Sequence, residues 1–585
     1  MIKKLAKSLR EYKIDAILTP LLIIVEVAME VLIPLLIKLF GDCLQPIAQD
    51  GTILPPDGKG MLKYGLLMIA SALVSLLAGM FAGKFCAKAS TGFAKNLRHD
   101  MFENIQSFSF SNIDKFSTSS LVTRLTTDLS NVQNAFMMII RVAIRSPLMF
   151  IFSIVMSFSI SSTLPAVFCV TIPVLAFGII LIIKKAMPIF KKVFKKYDDF
   201  NSSIQENIKG MRVVKAYVRE DYEVQKMSKV SCELRDEFTR AEKILAFNGP
   251  LMQFCLNFAL IAIAFIGSKI IINKTSDLTV FGLTSLLTYS LQILMSLQML
   301  SMIFVMITIS TESARRIVEV LDEKSSLTNP ENPIYEVKDG SIEFKNVSFS
   351  YSNNMERLAL KDVNLSIKSG ETVGILGGTG SSKTTLVNLI SRLYDVTTGE
   401  LLVGGENVNK YDLEVLRNNI SVVLQKNVLF SGTIKENLRW GNENAIDEEM
   451  INACKIAQAH EFIERFPEKY DTFIEQGGAN VSGGQKQRLC IARALLKSPK
   501  VIILDDSTSA VDMKTDALLR QAFKTEIPDI TKIIVAQRIS SIMDADKIIV
   551  LDGGKISAVG THEELLETSE IYKEVYTTQN KGVNA

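Results

Sequence analysis

Six apolar runs, each about as long as a helix needs to cross ~30 Å of hydrocarbon, leave the first half of this 585-residue chain few folds to choose from. They cover residues 14–40, 64–85, 135–157, 164–183, 250–272 and 281–309. In lipid every backbone N–H and C=O has to be satisfied inside the segment, so each run reads as a membrane-spanning helix. The connections alternate in character. Residues 41–60 are acidic and proline-bearing, 157–163 are few and uncharged, and 273–279 are short. Residues 84–134 and 184–248 are long and rich in Lys and Arg. Positive residues stay on the cytoplasmic side, so both termini and both long loops are expected inside. The first run follows Lys3, Lys4, Lys7, Arg10 and Lys13, but it is too long for a signal-peptide core and no small-residue cleavage site follows it. It is expected to be retained as a span.

The long loops carry their own periodicity. Leu97, Met101, Ile105 and Phe108 recur at helical spacing, as do Ile204, Ile208 and Met211. Helices are therefore expected to run out of the membrane into the cytoplasm and to pack against the second half of the chain. Residues 313–323 read as a polar helix leading out, and 324–339, with Pro330 and Pro333, as a linker. The expected division is a transmembrane domain over 1–323, a linker over 324–339 and a second domain over 340–585. That second domain begins with strands and then alternates strand with helix, the pattern of a mainly parallel sheet. The apolar excess, 48% of the chain, sits mostly in the first half, and a net charge of +3 points to no nucleic-acid partner. Seven cysteines without CxxC spacing read as buried free thiols, and three dispersed histidines form no metal cluster.

Within the second half, the stretch TVGILGGTGSSKTT over 372–385 places an apolar strand, a glycine-rich turn and a Lys-Thr helix start in succession. Such a loop aims backbone N–H groups and a helix dipole at one point, which suits a polyphosphate. Gly377, Gly378, Thr379, Gly380, Ser381, Ser382, Lys383, Thr384 and Thr385 make up the loop, with Lys383 placed for the β- and γ-phosphates and the Thr384 hydroxyl for Mg2+. A P-loop would carry Gly at 382. Ser382 is expected to take right-handed helical angles without strain and to suit a helix start through its hydroxyl. A Gly/Ser surface turn is the plain alternative. Downstream, VIILDD over 501–506 has the pattern of a buried parallel strand ending beside a ligand crevice, with Asp505 set to hold Mg2+ through water. The plain alternative there is an Asp pair capping the next helix. Between the two lies VSGGQKQR, whose Ser482, Gly483, Gly484 and Gln485 form a second anion cradle at a helix start. One small domain rarely needs two cradles for one nucleotide, so two copies facing each other are the economical answer.

In this order the motifs resemble those of an ATP-binding cassette (ABC) exporter half-transporter, and the resemblance covers nearly the whole chain. It implies a multidomain protein: an all-α six-helix transmembrane domain followed by an α/β P-loop nucleotide-binding domain. In that family the cassettes dimerise head to tail, with each ATP between one chain's P-loop and the other chain's signature. The resemblance implies that Tyr351 stacks on adenine, that 377–385 is Walker A and that Gln425 is the Q-loop residue, near Mg2+. It likewise makes Ser482 to Gln485 the signature, 501–505 Walker B, and Ser509 to Asp512 the D-loop. The segments RHDMFENIQSFSFSNIDKFSTSSLVTRLTTD and ENIKGMRVVKAYVRE resemble the two intracellular loops that carry coupling helices.

Two departures stand out. ATP-hydrolysing members follow Walker B with Glu and carry His at the switch position; this chain has Asp506 and Gln537. Asp is shorter by one C–C bond, roughly 1.5 Å, enough to lose the reach that positions a water. Gln537 contacts a phosphate but carries no proton as imidazole does. Both changes weaken chemistry and spare binding, which marks a degenerate site: ATP held, hydrolysed slowly or not at all. The signature is intact apart from Val for Leu at 481. The expected partner is thus a second half-transporter with intact Glu and His, giving a heterodimer. A slowly cycling homodimer and an ATP-gated regulatory subunit are the alternatives.

For the cargo the sequence offers less. Glu26 and Glu30 stand i, i+4 in the first run, either facing a cavity that attracts cations or pairing with Arg141 or Arg145. Tyr289, Gln292, Met295, Gln298, Met299, Met302 and Met306 lie along the sixth, either lining a cavity for varied apolar molecules or serving as packing and interhelical glue. A small amphipathic or hydrophobic compound is the expected cargo, with lipid or peptide as alternatives. No peptidase-like segment precedes the first run to favour a processed peptide.

Overall fold

The computed structural model describes residues 1–44, 55–273, 278–352, 354–506 and 511–581. Ser509, the first residue of the expected D-loop, lies outside them. The chain divides into two packed units: residues 1–106 with 118–323, and residues 107–117 with the chain from Lys324 onward.

Among its described residues the first unit has helices and no strand. Its main elements are α1 (Lys13–Leu44) and α2 (Gly58–Gln106), then, beyond a short helix α3 (Phe110–Phe116) that belongs to the other unit, α4 (Leu129–Ile160), α5 (Ala166–Lys209), α6 (Met211–Ala216), α7 (Glu220–Leu245), α8 (Asn248–Ile272) and α9 (Val280–Asp322). Among the described residues, six helical stretches are long and apolar enough to cross a membrane. Several extend far beyond one bilayer. The 49 residues of α2 run for about 74 Å at ~1.5 Å per residue, and Leu97 and Met101, near its far end, are fully buried. The helix stops before Phe108, which sits in the turn that follows. The second periodic stretch is likewise split, with Ile204 and Ile208 in α5 and Met211 beyond Gly210 in α6.

Polar side chains tie the spans together where apolar packing alone gives no register. On α9 the Ser285 hydroxyl donates to the Pro34 carbonyl at 2.6 Å, and the Tyr289 hydroxyl donates to the Val31 carbonyl at 2.7 Å. Tyr289 is fully buried among Ile23, Val27, Val31 and Met149.

The second unit is built on two larger sheets, beside a small two-stranded one that pairs Gly432–Thr433 with Phe473–Ile474. Strands β1 (Ile342–Phe349), β2 (Leu360–Ile367) and β4 (Thr398–Val403) form an antiparallel sheet in the order β2-β1-β4, edged by the two-residue strand Glu406–Asn407. The other sheet has six strands. It uses β3 (Thr372–Gly377), β5 (Ile420–Val423), β6 (Val501–Asp505), β7 (Thr531–Val535), β8 (Lys547–Asp552) and β9 (Lys555–Gly560), ordered β9-β8-β3-β7-β6-β5. All its pairings are parallel except β8 with β9. Every residue of β6 and β7 is buried, as expected of central parallel strands covered on both faces.

Residues 324–339 contain no helix or regular strand, yet they are not slack. Leu327 and Val337 are buried, the Ile334 N–H donates to the Lys410 carbonyl at 2.9 Å and the Asp412 N–H to the Ile334 carbonyl at 3.1 Å. Helix α3 is anchored alongside: Ser109 caps it in a reciprocal pair with Asn112, whose side-chain amide donates to the Lys324 carbonyl at 3.1 Å.

Candidate functional site: the strand ends of the parallel sheet

The central strand β3 ends at Gly377, where the chain turns into the loop 378–382 and then α10 (Lys383–Ile390). Gly377 admits no side chain, because a Cβ there would lie 2.4 Å from the Leu551 carbonyl oxygen and 2.5 Å from Ser381 Oγ. Gly378 and Gly380 are open instead: a Cβ at either meets nothing within 4 Å. The Lys383 ammonium folds back and donates to the carbonyls of Gly377 and Gly378, at 2.7 and 2.8 Å. Burial pushes its pKa down, against the pull of Asp506 and Asp505.

Ser382 corrects the sequence reading. It sits at φ 72°, ψ 27°, in the left-handed region, and its hydroxyl caps nothing. Position 382 asks for glycine because of this backbone, not for a helix-capping hydroxyl.

Opposite α10, at the end of β6, Asp505 is 2% exposed and accepts a hydrogen bond from the Thr384 hydroxyl. Burial pushes its carboxyl up. Its second oxygen, Oδ2, has no partner, nor does the buried Ser381 hydroxyl. Orphaned polar atoms are rare in folded proteins and call for a reason. A polyphosphate in the glycine loop with a divalent cation beside Thr384 and Asp505 gives one, so the residues fit Mg2+-ATP. Among the described residues no group of three His, Cys, Asp or Glu side chains is arranged to hold a metal. A cation held by Thr384 and Asp505 would draw its other ligands from phosphate oxygens and water.

Three residues that the sequence named separately converge. Asp506 leaves the strand at φ 51° and its Oδ2 accepts from Gln537 Nε2 at 2.8 Å and, at the 3.5 Å limit, from Gln425 Nε2. Each stands just past the end of one of the neighbouring strands β5, β6 and β7, and parallel strands bring those ends to one edge. The signal was legible once strand order is known. Sequence alone does not supply that order.

Tyr351 stands in the turn after β1, half exposed, with its hydroxyl 2.9 Å from Thr385 Oγ1. Its ring meets Tyr394 edge to face, 5.2 Å between centroids. Tyr394 was not singled out in the sequence. It also donates to Asp114 on α3 at 2.8 Å and packs against Phe110.

Ser482 and Gln485 form a reciprocal cap at the start of α11 (Gly483–Leu495): Ser482 Oγ accepts from the Gln485 N–H at 3.3 Å, and Gln485 Oε1 from the Ser482 N–H at 2.9 Å. Ser482 and Gly483 are exposed and Gly484 is half-buried, so the helix start faces outward. Asp512 caps the next helix, Met513–Glu526, accepting from the Thr515 N–H at 3.0 Å, and these bonds hold its carboxyl below the usual range.

In the first unit, Glu26 and Glu30 both pair with Arg145, each at 2.7 Å; Arg141 takes no part. Gln292 accepts from the Ser153 hydroxyl at 3.0 Å, bridging α9 to α4, while Gln298, Met295, Met299 and Met302 are exposed.

Known proteins share both halves. Residues 16–297 match the family model of the ABC transporter transmembrane region, and residues 360–509 that of the ABC transporter itself. The chain is 38% identical to the uncharacterized ABC transporter ATP-binding protein YfiB of Bacillus subtilis, over 99% of this chain and 98% of that one. It is 30% identical to YfiC of the same organism, over 95% and 92%. The structure of a bacterial Atm1-family ABC exporter with ATP bound superposes with a TM-score of 0.81 at 23% identity, covering 98% of both chains, which establishes a common fold. A membrane-spanning region and an ATP-binding domain joined in one polypeptide, matched end to end, place this chain in the ABC transporter family.

Proposed function

We propose that this chain is one half of a heterodimeric exporter, and that its own P-loop binds ATP without turning it over at a useful rate. ATP-driven transport across a membrane follows from the family. The degenerate site is our inference, and the observation that carries it is the pairing of Asp506 with Gln537 and Gln425. A carboxylate one bond short, held by amides, is poorly placed to orient water, and neither amide accepts a proton. Lys383, the loop N–H groups and Thr384 would hold the phosphates and, with Asp505 and Gln425, a Mg2+ ion; the ion would neutralise charge on the phosphates. Tyr351 would cover the adenine. The exposed helix start at Ser482, Gly483 and Gly484 would close over ATP held by the partner, which supplies the glutamate and histidine. ATP on Lys383 then acts chiefly as a clamp that keeps the cassettes joined while the other site cycles. Both termini and both long loops lie in the cytoplasm of what is on this reading a bacterial cell, and the cargo is a small amphipathic compound.

The test is ATPase activity of the purified chain, alone and then with the product of the neighbouring gene. Silence alone with activity together is expected. In the complex, Asp506→Ala should change turnover little, while Ser482→Ala or Gly483→Ala should cripple it. Robust activity of the chain alone, or equal losses from the two kinds of substitution, would overturn the proposal.

A further inference from the structure

Four charged side chains meet where α1, α2 and α4 pack, and they do not pair evenly. Glu26 and Glu30 stand one turn apart on α1, and Arg141 and Arg145 one turn apart on α4. Two carboxylates and two guanidiniums could form two separate ion pairs. Arg145 instead takes both carboxylates, Nη1 on Glu26 Oε1 and Nη2 on Glu30 Oε2. Arg141 is left with no ion pair or hydrogen bond from its guanidinium among the described residues.

Glu26 and Arg141 lie against successive turns of α2. Glu26 is buried against Gly79 of α2, where a Cβ would stand 3.1 Å from its carboxyl carbon. One turn along the same helix face, the Cβ position of Gly83 lies 3.9 Å from Arg141 Nη1. A Cβ at 79 would crowd the Glu26 carboxyl, whereas one at 83 would meet Arg141 only at ordinary contact distance. Met137, one turn before Arg141, is exposed, so apolar surface adjoins the free guanidinium. A charged residue within a span normally finds a partner, because leaving it unpaired in an apolar setting is costly. A guanidinium takes carboxylate or phosphate in a two-pronged grip, and it repels cations.

We propose that Arg141 recognises the anionic headgroup, carboxylate or phosphate, of an amphiphile. This rests on the transporter reading above and gives its cargo or bound lipid a charge sign opposite to the one that Glu26 and Glu30 suggest in the sequence. Arg145 engages one oxygen of each acid and offsets one of their two charges, while Glu26 Oε2 stays buried without a partner.

The experiment measures equilibrium binding of radiolabelled dodecyl phosphate to the full chain in phosphatidylcholine nanodiscs, with ATP binding followed on the same samples. Saturable binding is expected, displaced by dodecanoate and not by dodecyltrimethylammonium. Arg141→Gln should weaken it at least tenfold, Arg141→Lys should recover part of the loss, and Glu26→Gln should bind at least as tightly as the parent. Nanodiscs containing phosphatidylglycerol distinguish the sources: loss of dodecyl phosphate binding there assigns the site to bilayer lipid, and unchanged binding assigns it to a free amphiphile. Either result supports the anion site. Undiminished binding by Arg141→Gln, equal displacement by the ammonium compound, or a matching loss in Glu26→Gln would overturn it. Loss of ATP binding in the parent chain would overturn the transporter reading instead.

Discussion

At Ser382 a single Cβ works against the loop around it. An L-residue in the left-handed region costs roughly 1–2 kcal/mol, and the αL angles of Ser382 are not compensated by any cap. Glycine removes that cost but adds unfolded-chain entropy of about 0.4–1 kcal/mol. Ser382→Gly should therefore stabilise the ATP-binding unit by a net ~0.5–1 kcal/mol, read as a rise of about 1–3 °C in its thermal midpoint; a fall would mean that the serine makes a contact the loop needs. Lys383 and Asp505 carry a related tension. Burial drives the first toward loss of its proton and the second toward keeping one. Phosphates beside the ammonium and a cation beside the carboxylate would relieve both, so Mg2+ and ATP together should protect this unit from heat more than ATP with a chelator. At a hundred times Kd the gain is about 2.7 kcal/mol. Lys383→Ala should abolish it, and equal protection with and without the metal would count against Asp505 as a metal-side group.

Among the elements, α3 lies in a segment that resembles an intracellular loop carrying a coupling helix, and it packs within the second unit. Its seven residues are too few to hold a helix by propensity, so capping and tertiary contacts must do so. Ser109 and Asn112 supply the cap, and Tyr394 reaches Asp114 while its ring lies between Phe110 and Tyr351. One aromatic side chain thus touches both α3 and the tyrosine expected to cover adenine. Tyr394→Phe keeps the ring and removes one hydrogen bond worth ~0.5–1.5 kcal/mol. Backbone amides of α3 should then exchange with solvent roughly 2- to 10-fold faster, with the β6 amides unchanged; no change in α3 would show that the ring contacts alone hold it. The contrast with β6 explains what was readable in advance. A fully apolar run ending in carboxylates announces itself locally, as does a glycine loop before Lys-Thr, and six spans follow from hydrocarbon thickness. Tyr394, the αL angles of Ser382 and the meeting of Gln425 with Asp506 and Gln537 depend on residues distant in sequence. Which of Arg141 and Arg145 meets Glu26 and Glu30 depends likewise on how two helices distant in sequence pack.

For the whole molecule, the proposed degeneracy raises the question whether two groups alone would account for it. Its helix start at Ser482 is exposed and capped, and its phosphate loop and Walker B strand are formed. If Asp506 and Gln537 are the whole deficit, then two copies of one repaired chain contain every part of two working sites. Asp506→Glu restores the reach to water, and Gln537→His restores a group able to take part in proton transfer. A positioned acid or base contributes typically ~10²–10⁴-fold, so the double variant, as a homodimer, should hydrolyse ATP at least about a hundredfold faster than the parent chain without any partner. Either change alone should fall short, because Gln537 now occupies the carboxylate that a glutamate would have to aim elsewhere. The measurement is steady-state ATPase activity of single and double variants, with light scattering to establish that they dimerise and nucleotide binding to establish that the loop is loaded. A loaded, dimeric and silent double variant would place the deficit in the backbone at Ser382, and adding Ser382→Gly to it would then be the decisive repair.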